Sequence, residues 1–146
     1  MIRKLFVVAI FVIVCELALF SDGYAASNKE ETYELQERCG KQAAEYFKQE
    51  YGNGTSGTKD WLQTADYSNH YNKINNKCFV LLTISNIPYK DKASRTFKML
   101  FDLNEHKEYG GFLEFGTDKP SLCKVSGTFC NSEDEWDALA KPFIEE

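Results

Sequence analysis

The chain has 146 residues, with 17 Lys+Arg against 22 Asp+Glu, two histidines and five cysteines, for a formal net charge of -5. That sign excludes a surface built to track a phosphate backbone, which requires clustered Lys and Arg, so no nucleic-acid partner is expected. The length suits one ordinary domain with a core of its own rather than a scaffold held by disulfides alone.

The first segment reads as an export signal. Arg3 and Lys4 precede an apolar run from Leu5 to Phe20, interrupted by Cys15 and Glu16 and followed by Ser21-Asp22-Gly23-Tyr24-Ala25-Ala26. A positive start, a short apolar stretch and small residues at a cut site are the parts of a secretory signal. Cleavage after Ala25 puts Gly23 and Ala25 at the small-residue positions, whereas cleavage after Ala26 would put bulky Tyr24 there. A retained membrane anchor is not expected. The apolar run is 16 residues long and contains Glu16, against the roughly 20 apolar residues of a spanning helix. Val12-Ile13-Val14 also lacks the small residues that precede a lipid-modified cysteine, so Cys15 leaves with the signal. Removing residues 1–25 takes away Arg3, Lys4, Glu16 and Asp22 and leaves a single domain, residues 26–146, with 15 basic and 20 acidic residues.

The domain keeps Cys39, Cys78, Cys123 and Cys130. An even number of cysteines in an exported domain implies two disulfides, and four cysteines allow three pairings.

A helix is expected over Lys29–Tyr51, opened by a Ser27–Glu30 capping box. Leu35, Cys39, Ala43, Tyr46 and Phe47 recur on one face at the helical period, and Glu37–Lys41 form an i,i+4 ion pair. Gly52 stops the helix. Gly52–Lys59 reads as a flexible loop. Its Gly57-Thr58-Lys59 is in the wrong order for a phosphate loop, and Asn53-Gly54-Thr55 is formally a glycosylation acceptor. Trp61–Asn76 has no clear period, although Trp61, Tyr67, His70 and Tyr71 make an aromatic and polar cluster suited to recognition. Lys77–Ser85 is the clearest strand, apolar on both faces and therefore central, with Pro88 ending it. Ser94–Leu103 and Tyr109–Phe115 form a hairpin around a polar turn, and Gly110-Gly111 marks a bulge or a close backbone approach. Cys123–Cys130 is a short strand or loop turning at Gly127. Ser132 and Glu135 form the capping box of a last helix with Trp136, Leu139, Ala140 and Phe143 on its apolar stripe; Pro142 is expected to end it near Lys141. The fold class expected is α+β, with an N-terminal helix, a three- to four-stranded, mostly antiparallel sheet packed by one face on the helices, and a short C-terminal helix.

Cys39 on the helix stripe and Cys78 on an apolar strand face can meet in the core, which leaves Cys123 and Cys130 to pair locally. A crossed pairing stays open, because facing directions do not give distances.

The sequence narrows the chemistry further. His70 and His106 with these cysteines lack zinc spacing. A bridged Cys78 is no nucleophile for a Cys–His pair. Neither a Gly-x-Ser-x-Gly elbow nor a Cys-x-x-Cys pair occurs. No cofactor is expected. Asp66, Glu108 and Glu114 are the acids that a carboxylate hydrolase would draw on.

The run Tyr67-Ser68-Asn69-His70-Tyr71-Asn72-Lys73-Ile74-Asn75-Asn76-Lys77-Cys78-Phe79 resembles a stretch of small secreted bacterial proteins of unknown function. Cys39-Gly40-Lys41-Gln42-Ala43, and Phe101-Asp102-Leu103-Asn104 with Tyr109-Gly110, are similar as well. The resemblance implies a bacterial source and export, to the periplasm or beyond the cell, and carries no activity. The function expected is a non-enzymatic exported domain, binding or structural, engaging a protein partner. One form is an inhibitor of a basic hydrolase, which an acidic surface would meet faster. The alternative is a carboxylate hydrolase of the bacterial envelope.

Overall fold

A computed structural model describes residues 29–90, 93–116 and 119–145. The export signal, Cys15 and Ser27 lie outside the described residues. The chain divides into two compact units, Met1–Leu35 and Gln36–Glu146. Of the first, residues 29–35 are described and are helical. The packing and contacts described below are those of the second.

Helix α1 spans residues 29–51, as its apolar period predicts. Cys39 and Ala43 are fully buried on its inner face, and Lys41 meets Glu37 at 2.6 Å on the outer one. The helix stops where Gly52 turns to φ 64° and donates its N–H to the Lys48 carbonyl at 3.1 Å, an αL helix end.

Seven strands follow: β1 (Thr55–Gly57), β2 (Trp61–Asn72), β3 (Lys77–Pro88), β4 (Arg95–Asp102), β5 (Lys107–Glu114), β6 (Leu122–Val125) and β7 (Thr128–Phe129). They pair in sequence order in one sheet, every neighbour antiparallel. Helix α2 (Glu133–Ile144) closes the chain. The α+β class holds, but the expectation of three to four strands is corrected to seven. Three causes account for the difference. β2 carries polar residues on both faces with a few aromatics among them, so it shows no period of two. β1 and β7 are edge strands of three and two residues, short in the way that guards an edge against further pairing. The Cys123–Cys130 stretch is two strands joined by the tight turn Ser126-Gly127, both at positive φ, as a two-residue hairpin of the primed type requires.

The helices do not share one sheet face, which corrects the expected layering. Successive strand residues point to opposite faces. Tyr67, Cys78 and Phe101 meet α1 on one face, while Phe79, Leu100, Phe112, Cys123 and Val125 pack against Trp136 and Ala140 of α2 on the other. β3 is therefore covered on both sides: Phe79, Val80 and Leu82 are all essentially inaccessible. This is the central strand that its two apolar faces predict.

Two disulfides tie the layers together. Cys39–Cys78 joins α1 to β3, and Cys123–Cys130 closes the β6–β7 hairpin just before α2. Between β4 and β5 the register slips after Leu100, where Phe101 faces Glu108 but Leu100 faces Gly110. Tyr109 is the extra residue of this bulge, and it packs edge-on to Phe79 and against Phe143. A Cβ on Gly110 would stand 3.0 Å from Val125 Cγ2 and 3.1 Å from the Lys124 carbonyl oxygen, so the glycine pair serves a bulge and a close approach together.

Ser132 caps α2 by accepting the Glu135 N–H at 3.2 Å. Glu135 does not reach back to Ser132, as a full capping box would; its carboxylate takes the Asn131 N–H at 2.8 Å instead. The helix also runs past Lys141 to Ile144 with Pro142 inside it, a second departure from expectation. Tertiary contacts hold that last turn. Phe143 packs edge-on to Phe79 at 5.2 Å, and buried Asn72 donates to the Pro142 carbonyl at 3.0 Å. Beneath the first turns of α2, the nearly buried Lys98 ammonium sits 2.7 Å from both Glu133 and Asp137.

Candidate functional site: a cleft at the open end of the sheet

β2 and β3 are 12 residues long, β4 and β5 only eight. The longer hairpin overhangs. On the α1 face, the helix has ended by the level of Ala65, whose N–H donates to the Gly54 carbonyl at 2.7 Å. Beyond that level the register sets Trp61 opposite Pro88, Gln63 opposite Asn86, and Asn86 opposite Arg95. These positions share the α1 face but lie past the helix.

Trp61, Asn86, Pro88 and Arg95 line a cleft of about 330 Å³ with Asp60 and Ala93. Trp61 is 37 % exposed. The Arg95 guanidinium stands over the Phe115 ring at 5.4 Å, a cation–π contact that holds the charge beside the cleft. Asn86 Oδ1 is buried and accepts no hydrogen bond from any described residue. Leaving such an acceptor unmatched costs about 1–3 kcal/mol. Tyr89 and Phe115 are exposed near this end of the sheet, and Ile87 is exposed on the opposite face.

The four aromatic and polar residues singled out from the sequence do not gather here. Trp61 alone lines the cleft. Tyr67 lies under α1 with its ring 4.6 Å from Phe47. Tyr71 is buried, its hydroxyl donating to Asn76 Oδ1 at 2.6 Å and its N–H to Gln36 Oε1 at 2.7 Å. His70 sits one residue out of phase, on the α2 face opposite Phe79. Tyr67 and Tyr71 thus complete packing and hydrogen bonding under the helix.

The acids named for hydrolysis are also kept apart. Asp66 and Glu114 share the α2 face but lie on β2 and β5, with β3 and β4 between them. At about 4.8 Å per strand, that separates their backbones by roughly 14 Å. Asp66 accepts the Tyr67 N–H at 2.8 Å. Glu108 faces the other way, into a hollow of about 360 Å³ floored by Gly110 and Gly111 and rimmed by Lys107 and Lys124. Among the described residues, no three His, Cys, Asp or Glu side chains are grouped so as to hold a metal ion.

Sequence reasoning missed Asp60, Asn86 and Arg95. No local signal joins them, since they converge only through the β2–β3–β4 register, and β2 lacked the period that would have announced it. No protein-family model, curated protein or solved structure matches this chain.

Proposed function

We propose that this chain is an exported binding domain whose ligand docks at the open end of the sheet. The observation carrying this reading is one cleft where a half-open tryptophan, an arginine and an aspartate come together. Binding pockets combine apolar and aromatic walls with a few such polar groups, and Trp and Arg are the side chains that most often dominate recognition energy. Export is supported by the leader and by two disulfides, which persist in oxidising compartments. Among the described residues no helix is long and apolar enough to cross a membrane.

The test is saturable capture. The exported protein is immobilised, titrated with bacterial envelope extract at low and high salt, and compared with Trp61→Ala. A saturable ligand held by the native chain and lost by the variant, at unchanged circular dichroism, supports the reading. Absence of saturable binding at both salt concentrations refutes it. Intact mass before and after reduction checks cleavage after Ala25 and the four bridged sulfurs.

A further inference from the structure

The functional groups of the cleft differ in what they demand from an occupant. Asp60 can only accept hydrogen bonds when ionised and Arg95 can only donate, while Asn86 Oδ1, shut off from solvent, is not offered to an occupant. Trp61 and Pro88 offer apolar surface beside them. A simple cation would satisfy Asp60 but face Arg95. A simple anion would satisfy Arg95 but face Asp60. An occupant that answers every group carries several hydrogen-bonding centres that each donate and accept, together with an apolar face. That is the chemistry of a sugar ring, whose hydroxyls form a rim around C–H faces able to lie on an indole.

We infer that the cleft is a saccharide subsite, taking one or two neutral sugar units of a glycan, with Trp61 as the platform and Asp60 and Arg95 reading the hydroxyls. The inference rests on the binding reading above and deepens it. The volume of about 330 Å³ and the open position at the sheet end suit a short stretch of a longer polymer, which would enter and leave along the surface. The Arg95 guanidinium lies over the Phe115 ring before any occupant arrives, so its donors are held beside the cleft and less ordering is needed on binding.

The experiment uses the mature, oxidised chain. It is screened on an array of neutral oligosaccharides, and hits are titrated by calorimetry and by the indole N–H resonances in NMR. The expected result is that at least one oligosaccharide binds saturably and shifts the Trp61 indole signal, while that of Trp136, buried under α2, stays put. Trp61→Ala and Arg95→Gln then weaken binding about tenfold or more. Asp60→Asn, at an exposed position, is the variant least able to disturb folding, and it weakens binding by a smaller factor. Envelope extract supplies the second arm. Capture that survives protease digestion and is abolished by periodate, which cleaves vicinal diols, supports the inference. Capture lost to protease and resistant to periodate overturns the saccharide assignment while leaving a binding domain for proteins. A zwitterionic amino acid that competes where sugars do not also overturns it. Failure of all saturable capture refutes the binding reading itself.

Discussion

The Cys39–Cys78 bridge should be worth more to the fold than Cys123–Cys130, and the reason is the length of chain each closes. The residues are 39 apart in the first case and seven in the second. In the chain-entropy account, a disulfide stabilises by removing loop-closure freedom from the unfolded state, by about 2.1 + 1.5R ln n in cal/mol/K. At 25 °C this gives about 4 kcal/mol for the long loop and about 2 kcal/mol for the short one. Burial does not separate the two bridges strongly, since Cys39, Cys78 and Cys123 are all buried, so the ordering tests the loop argument. Helix α1 should stay docked in Cys39→Ala/Cys78→Ala, because Tyr46 still meets Phe101, Phe47 still meets Tyr67 and Gln36 still accepts the Tyr71 N–H. A domain of this size has about 5–15 kcal/mol in total, so the variant should fold but be marginal. Urea unfolding of the native chain and the two double variants measures this. With a slope of about 2 kcal/mol/M, the long-loop variant loses about 2 M in its midpoint and the short-loop variant about 1 M. An equal or larger loss for Cys123→Ala/Cys130→Ala refutes the reasoning. A changed slope would show instead that removal of the bridge altered the compactness of one of the end states.

Other expectations follow from single positions. Gly110→Ala should cost about 1–3 kcal/mol by urea unfolding, because the new Cβ meets the Lys124 backbone carbonyl; Gly111→Ala should cost less, because its neighbours are the ends of the Leu122 and Glu108 side chains. Asn72→Ala should cost about 2–3 kcal/mol, since Asn72 is buried, donates to the Pro142 carbonyl and accepts from the Asn75 N–H; amide exchange should speed up in the last turn of α2, and exchange confined to other regions would contradict the assignment. Stability should also fall in alkali. Burial pulls Lys98 down, but hydrogen bonds to Asp137 and Glu133 more than offset it and leave its pKa raised; hydrogen bonds to Asp102 and Glu105 raise that of Lys77. Burial, with nearby Glu50, raises Tyr46 and Tyr51. Each such group contributes stability that is fully present below its unfolded pKa, about 10 for Tyr and 10.4 for Lys, and is lost as pH rises through the folded value. The urea midpoint should therefore hold steady from about pH 8 to 9.5 and then decline, less steeply in Lys98→Met; a midpoint that rises above about pH 10 would contradict this.

The elements legible in the sequence are those whose period has one cause. Residues 36–51 show a clean helical stripe because one face meets the sheet and the other meets water. β3 shows two apolar faces because a helix covers it from each side. β2 has neither signature. Its α1 face uses Tyr67, Asn69 and Tyr71, and Asn69 makes a hydrogen bond to the Cys39 sulfur; its α2 face carries Asp66, Ser68 and His70. Polar groups on both faces conceal a strand whose hydrogen bonds come from twelve paired positions with β3. The last turn of α2 was hidden for a related reason. Local preference ends a helix near Pro142, whereas Phe143 and Asn72 hold it through contacts distant in sequence.

The cleft was the least legible feature, and its physical origin explains why. Each helix is shorter than the β2–β3 hairpin it covers, so the far end of that hairpin extends beyond the helices. A stretch made only to complete a core would be trimmed or polar there. This one instead keeps Trp61 and Tyr89 in contact with water, sets Arg95 against Phe115, and tolerates an amide oxygen with nothing to accept. No packing requirement accounts for the three together, since α1 has ended before reaching them. On the proposed reading, an occupant supplies the contacts that the helix does not. That is why Trp61→Ala is expected to remove binding with little loss of stability, while Tyr71→Ala, one face-sharing position after another along the same strand but under the helix, should do the reverse. Measuring midpoint and capture for both variants separates recognition from packing on a single strand. If Trp61→Ala loses as much stability as Tyr71→Ala, the indole belongs to the fold and the cleft loses its claim.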